Sequence, residues 1–347
     1  MNIVNAYAAL SATTPLQAYK IERRDPGPRD IQIAIQYCGV CHSDIHMSRN
    51  EWGGDALYPM VPGHEIIGRV TAIGNTVSKY KVGDLVGVGC LVDSCGSCSS
   101  CKEDVEQYCE KGFTLTYGSP DTKHGGVTFG GYSTQIVVDE KFVLRIPPHL
   151  DTKAVAPLLC AGITTWSPLK HWKVSKGDLV GIIGLGGLGH MGIKFAHALG
   201  AKVVMITTSL KKAEDAKRLG ADEVLVSSDP DAMAKYANCF DFLLNTIPVS
   251  HNLDPYIALL KRDKTMVIVG AMTAVDCQGG GLVRGRKHVA GSLIGGVKEM
   301  QEMLDFCGQH NIVSDIEMLD IQNINEAYAR MIKGDVKYRF VIDNASL

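Results

Sequence analysis

No part of this sequence is apolar for long enough to cross a bilayer. The longest such run, Ala154 to Ile163, is about half of what a membrane span needs. Charge of one sign is lacking too: 35 Lys plus Arg against 37 Asp plus Glu leave a net charge of −2 with neutral histidine. Neither a nucleic-acid partner nor a polybasic membrane surface is therefore expected. Met1 to Leu10 lack a basic n-region followed by an apolar h-region, so no secretory leader is expected and a cytoplasmic location is. There is no internal repeat and no low-complexity tract. With 46% hydrophobic and 21% charged residues, the composition is that of a globular chain and excludes disorder.

What is present is glycine and cysteine, 37 and 11 of them in 347 residues. The length suggests two domains at roughly 150 residues each. An odd cysteine count without an export signal speaks against disulfides and for metal ligation.

The first part of the chain reads as β-rich. Ile31 to Ile35 alternates as a half-buried strand does, and Val70 to Ile73, Leu85 to Val88 and Thr134 to Val138 are further short strands. Gly, Pro and Asp separate them, which predicts an antiparallel barrel or sandwich. The character changes near residue 160. Leu179 to Ile183 is a continuous apolar strand of the kind a buried parallel sheet uses, and a helix follows with Met191, Phe195 and Leu199 on one face. Strand and helix then alternate as in an open α/β sheet. The tail predicts a helix from Val297 to Cys307, a second helix with Asn323 as its N-cap, and a strand from Tyr338 to Ile342.

Between the apolar strand and its helix lies Gly184-Leu185-Gly186-Gly187-Leu188-Gly189. The first glycine permits a tight turn, the second lets a pyrophosphate approach the backbone, and the last lets helix and strand pack closely. The phosphates then meet a positive helix N-terminus, so this context points to dinucleotide binding. An NAD site ordinarily ends its second strand on an acid. Here that strand runs into Thr207-Thr208-Ser209-Leu210-Lys211-Lys212, which has none. Hydroxyls and ammonium groups suit a 2′-phosphate, so NADP(H) is favoured. The alternative is that the lysines only solvate a first helical turn.

Cys95, Cys98, Cys101 and Cys109 fall within 15 positions. Four thiolates in one loop can close a tetrahedron around Zn²⁺ with no open position, a structural site. Zinc is the first reading; an iron–sulfur cluster is the alternative.

Further motifs occur in a fixed order: Tyr37-Cys38-Gly39-Val40-Cys41-His42-Ser43-Asp44, Gly63-His64-Glu65, the four-cysteine loop, Leu159-Cys160-Ala161-Gly162-Ile163-Thr164, and the glycine loop. Together they resemble the zinc-dependent medium-chain alcohol dehydrogenases along essentially the whole chain. Asn50-Glu51-Trp52-Gly53, Gly130-Gly131-Tyr132-Ser133 and Lys337 to Asp343 narrow the resemblance to the cinnamyl alcohol dehydrogenase branch, and within it to bacterial broad-range NADPH-dependent aldehyde reductases.

The resemblance implies an α/β protein: a GroES-like β-rich catalytic domain (1–160, with the structural zinc loop 95–109), a Rossmann doubly wound parallel-sheet domain (161–293), and a segment (294–347) completing the first. The active site would lie in the cleft between them. It implies two Zn²⁺ per chain, the catalytic one on Cys41, His64 and Cys160 with a fourth position open for substrate oxygen. It implies that Ser43 and His46 relay the proton, that Asp44 orients His64, and that Glu65 can enter the zinc sphere. His42 and Arg339 would contact the cofactor pyrophosphate, and Thr208, Ser209 and Lys212, with Thr207 beside them, the 2′-phosphate. Trp52 and Trp166 would line the substrate pocket, although Trp166 stands where relatives often carry a smaller aromatic. A homodimer is the branch's usual state. Cys38, Cys90, Cys239, Cys277 and Cys307 match no ligand position and read as small core residues or idle thiols. His190 reads as a residue that caps or packs beside the glycine loop. Asp276 to Arg286 is richer in Gly and Arg than the family pattern, in a region that lies near the cofactor cleft and subunit interface of relatives.

The expected activity is reversible hydride transfer between NADPH and an aldehyde, aromatic or medium-chain. Rival readings are reduction of a conjugated C=C or iminium bond on the same scaffold, and a non-catalytic nucleotide-sensing zinc protein.

Overall fold

The computed structural model describes residues 2–347. The chain forms two compact units, one running to Cys160 and resuming at Gly295–Leu347, the other Ala161–Ile294.

The first unit is organised by one long strand, Asp30–Val40. Its burial alternates along most of its length, as the sequence pattern requires of a strand with one covered face. Ile66–Ile73 pairs antiparallel along one edge. The other edge is shared: Gln135–Asp139 pairs with its first half and Arg339–Asp343 with its last residues. Leu85–Val88, Val143–Arg145 and Ile316–Asp320 complete a seven-stranded sheet. Ile31, Ile33, Ile66 and Ile67 are fully buried beneath it. A hairpin that the sequence reading did not anticipate, Asn2–Ala8 with Gln17–Arg23, stands apart as its own two-stranded sheet.

At the end of the long strand the chain turns into a short helix, His42–Ser48. Cys41 is its N-cap, and the side chain of Asp44, at the third helical position, reaches back to the Cys41 N–H. This reciprocal cap satisfies an otherwise orphaned donor.

The second unit is a six-stranded sheet, all parallel. From edge to edge it runs Glu223–Val226, Lys202–Thr207, Leu179–Ile183, Phe240–Asn245, Leu260–Ile268, His288–Gly291. Counted within the unit this is the order 3-2-1-4-5-6 of a doubly wound dinucleotide-binding sheet. The helix after the first strand spans Gly189–Ala198, with Met191 and Phe195 fully buried and Gly200 turning the chain at φ +83°.

One local expectation changes. Asn323 does precede its helix, Ile324–Ile332, but its side chain makes no capping bond, because a 3-10 turn, Ile321–Asn323, leads in and moves the cap geometry. The Gly-rich stretch after Asp276, to which the sequence reading gave no secondary structure, contains a helix, Gly279–Gly285. Glycine disfavours helix, so neighbours hold it. Asp254 accepts from Gln278 N at 2.8 Å, and Lys287 reaches the Ile257 carbonyl at 2.9 Å.

The glycine loop shows why its spacing matters. Gly184 has φ +93°, and a Cβ on Gly189 would sit 1.9 Å from the Gly184 carbonyl oxygen. Gly189→Ala should therefore force helix and strand apart and cost about 1–3 kcal/mol, seen as a lower denaturant midpoint of the purified protein. An unchanged midpoint would mean that this close approach is dispensable.

Candidate active site and metal centres

Cys41 ends the long strand, His64 and Glu65 precede the strand Ile66–Ile73, and Cys160 lies just after a buried 3-10 turn, Ala156–Leu159. Far apart in sequence, these four offer donor atoms that all lie within 4.8 Å of one another, and all four residues are buried. Cys41 Sγ and Cys160 Sγ are 3.9 Å apart. His64 Nε2 is buried without a partner, and so is Glu65 Oε2. Buried polar atoms are rarely left orphaned. Two thiols, an imidazole nitrogen and a carboxylate oxygen converging on one point fit a zinc ion.

Asp44 sits behind this cluster, fully buried. Its carboxylate accepts from Cys41 N at 2.8 Å, Gly63 N at 3.2 Å and Tyr132 Oη at 3.1 Å, and its Oδ1 is 3.4 Å from His64 Nδ1. A carboxyl surrounded by donors is the ionised acceptor form. With Nδ1 facing that charge, the lone pair of His64 is left on Nε2, toward the cluster. Tyr117 stacks on the His64 ring, with centroids 5.7 Å apart. Burial and the Asp44 charge push the phenols of Tyr117, Tyr132 and Tyr328 well up, so they keep their protons.

Glu65 pairs with Arg339, both buried. Burial, the largest effect, works against the guanidinium charge, but the Glu65 carboxylate together with Cys41 and Cys160 outweighs it, and the guanidinium holds its proton more tightly than usual. Ser43 Oγ is 3.5 Å from Cys41 Sγ. His46, partly exposed, has Nδ1 2.6 Å from Glu51 Oε2 and its ring stacked on Trp52, centroids 5.2 Å apart. Trp52 is half exposed. His42 is exposed, and the partial desolvation of its ring by the surrounding protein lowers its pKa.

The four-cysteine loop forms a second cluster on the same unit, its sulfurs again within 4.8 Å of one another. Backbone N–H groups of Ser97 and Cys98, each 3.4 Å away, and the Ser97 hydroxyl point at Cys95 Sγ and pull that thiol down to about 5. Donors aimed at sulfur favour the thiolate that a metal requires. The absence of an unsaturated position among four thiolates fits structural zinc.

On the second unit, Gly186 faces open space while its neighbours Gly184 and Gly189 are packed tightly, which leaves a cradle at the helix N-terminus suited to phosphate. Gly187 and Leu188 complete that turn, and His190, fully buried, bonds back to the Gly186 carbonyl through Nδ1 at 3.3 Å. Thr207 ends the second strand, and Thr208 and Ser209 follow it. Lys212 reaches back to the Leu185 carbonyl at 2.8 Å, which holds its ammonium against the glycine loop. Trp166 packs edge-on against Phe195 inside this unit, with Lys170 over its face; these are the contacts of a core side chain.

Residues 27–148 match the alcohol dehydrogenase GroES-like domain and 187–309 the zinc-binding dehydrogenase domain. The chain is 57% identical to aldehyde reductase YahK of Escherichia coli (strain K12), covering 99% of each. The chain belongs to the zinc-binding alcohol dehydrogenase family. It is also 51% identical to NADP-dependent alcohol dehydrogenase C 1 of Mycolicibacterium smegmatis, over 100% of this chain and 99% of that one. Among solved structures, a cinnamyl alcohol dehydrogenase from Sorghum bicolor superposes with a TM-score of 0.95 at 43% identity, covering 99% of this chain and 98% of that one. That of Helicobacter pylori, complexed with NADP(H), gives 0.92 at 41% over the same shares.

The site of this dehydrogenase contains residues that sequence reasoning passed over. Glu51 was visible only as part of a branch motif. Tyr132 likewise carried no role, and Tyr117 and Tyr328 gave no signal. Cys90, read as a small core residue or idle thiol, is buried, with its Sγ 3.8 Å from the carbonyl of Leu159, the residue before Cys160. Metal analysis should find about two zinc ions per chain, and Cys98→Ser should retain about one while lowering the melting temperature. Iron in place of zinc would overturn the four-thiolate reading.

Proposed function

We propose that this dehydrogenase is an NADPH-dependent aldehyde reductase acting on aromatic and medium-chain aldehydes, with the alcohol as reverse substrate. The convergence of Cys41, His64 and Cys160 around the unpartnered His64 Nε2 carries this reading. Two thiolates and one imidazole would hold the catalytic zinc, and Cys95, Cys98, Cys101 and Cys109 the structural one. The chemistry supplied by the bound groups is Lewis-acid polarisation of a carbonyl and hydride donation from the nicotinamide.

The chain's own residues supply position and protons. Ser43 and His46 stand three apart on one short helix, so they are neighbours on its surface. Ser43 Oγ gives a proton to the substrate oxygen as the alcohol forms. Glu51 accepts from His46 Nδ1, which leaves Nε2 as the base or acid that exchanges with solvent. Glu65, tied to Arg339, keeps a free carboxylate oxygen at the metal cluster. Asp44 keeps His64 in the tautomer a metal ligand needs. Gly184, Gly186, Gly187, Leu188 and Gly189 would hold the pyrophosphate, with His42 and Arg339 as further contacts. Thr207, Thr208, Ser209 and Lys212 would read the 2′-phosphate. Trp52 is proposed to border the substrate, and Trp166 is kept there on the strength of the resemblance alone. We further propose a cytoplasmic homodimer with the catalytic domain drawn from residues 1–160 and 294–347. In support, no described helix is long and apolar enough to cross a membrane.

Cys41→Ser should abolish NADPH-dependent aldehyde reduction while leaving the circular-dichroism spectrum and structural zinc in place; near wild-type turnover would sink the ligand assignment. Thr207→Asp should raise the ratio of NADH to NADPH efficiency by introducing a carboxylate where the 2′-phosphate would sit. An unchanged ratio would remove Thr207 from that contact.

A further inference from the structure

Tyr132 has no room to move. Its ring is fully buried, and a Cβ on Gly63 would lie 2.8 Å from its Cδ1. Its own N–H bonds the Pro62 carbonyl at 3.0 Å, and the Gly131 N–H bonds Gly63 O at 2.8 Å, so its loop is clasped to the residues just before His64. Arg23, buried, donates to Phe129 O, Gly130 O and Ser133 Oγ at 2.8–3.0 Å. Asn344 donates to Gly131 O and Ser133 O at 2.8 and 2.9 Å. The hydroxyl these contacts fix is 3.1 Å from Asp44 Oδ2 and receives the Tyr328 hydroxyl at 3.5 Å. Asp44 also takes two backbone donors, the N–H groups of Cys41 and Gly63, and the Tyr132 hydroxyl joins them on its carboxylate.

We infer that Tyr132 is a positioning residue for the metal centre: its hydroxyl, backed by Tyr328, holds the Asp44 carboxylate against His64 and so sets how tightly that imidazole grips the ion. Both phenol protons run toward Asp44, so the carboxylate's charge is anchored at one place rather than free to rotate away from Nδ1. Removing one anchor loosens Asp44, then the orientation of His64, and last the metal. Nothing in this chain of contacts touches the four-cysteine loop. The inference rests on the proposed ligand set of Cys41, His64 and Cys160.

The test is zinc release from the loaded full-length protein to a chromophoric chelator, for wild type, Tyr132→Phe, Tyr328→Phe and Cys41→Ser. The lost phase in Cys41→Ser identifies the catalytic centre. Tyr132→Phe should weaken zinc at that centre about threefold to tenfold, below the effect of removing a carboxylate partner itself, and leave the four-cysteine phase unchanged. Tyr328→Phe should act in the same direction and less. Cobalt substituted at the catalytic centre should show a shifted ligand-field band in Tyr132→Phe. Release and spectrum equal to wild type would overturn the inference. If Tyr132→Phe does not fold, an unchanged catalytic phase in Tyr328→Phe overturns it equally. If Cys41→Ser keeps both phases, it is the ligand assignment that fails; if it loses one and Tyr132→Phe leaves that phase intact, only the positioning role fails.

Discussion

A buried carboxylate has to be surrounded by donors, and at this site almost everything else follows from that demand. Asp44 is fully buried. It draws in the N–H of Cys41, which starts the short helix, and the N–H of Gly63, which fixes the turn before His64. Cys41 and His64, the proposed zinc ligands beside the ends of two neighbouring strands, are thus placed by one side chain. Leaving such a charge unpaired costs several kcal/mol, so the strand ends, the 129–133 loop and the helix cap are not independent of one another.

The two metal clusters illustrate opposite ways of building a site. Cys95, Cys98, Cys101 and Cys109 are neighbours in sequence, and short loops bring them together with little closure entropy. Their chemistry was therefore visible from spacing. Cys41, His64 and Cys160 meet only because the sheet places the end of one strand beside the start of the next, and Ala156–Leu159 turns beneath both. No spacing rule reaches across such a distance, and only the motif resemblance pointed to them.

The same distinction separates what was legible in the sequence from what was not. Leu85–Val88 was read with the bounds observed, because turn residues flank it. The edge strand His288–Gly291 was missed: it is short, and its side chains are partly exposed, so it has little pattern. The helix Gly279–Gly285 was missed because tertiary contacts override the propensity of its glycines. Asn323 carries a capping residue's chemistry, but the turn before it removes the need. Within the site, the Tyr132–Asp44 bond joins positions 88 apart and leaves no local trace.

The pairing of Arg339–Asp343 with the end of Asp30–Val40 has a consequence for the order of synthesis. Residues 161–294 are made, and can close their own parallel sheet, before the strand that flanks Cys38 to Val40 leaves the ribosome. Domains generally fold as units while the chain grows. The nascent protein can therefore finish its parallel-sheet unit while the other unit still lacks two strands, Ile316–Asp320 and Arg339–Asp343. Glu65 meanwhile waits without the arginine that balances it. The cluster receives its counter-charge only when Arg339 has been made, so a chain truncated before that residue carries the proposed ligands but not the charge that balances Glu65.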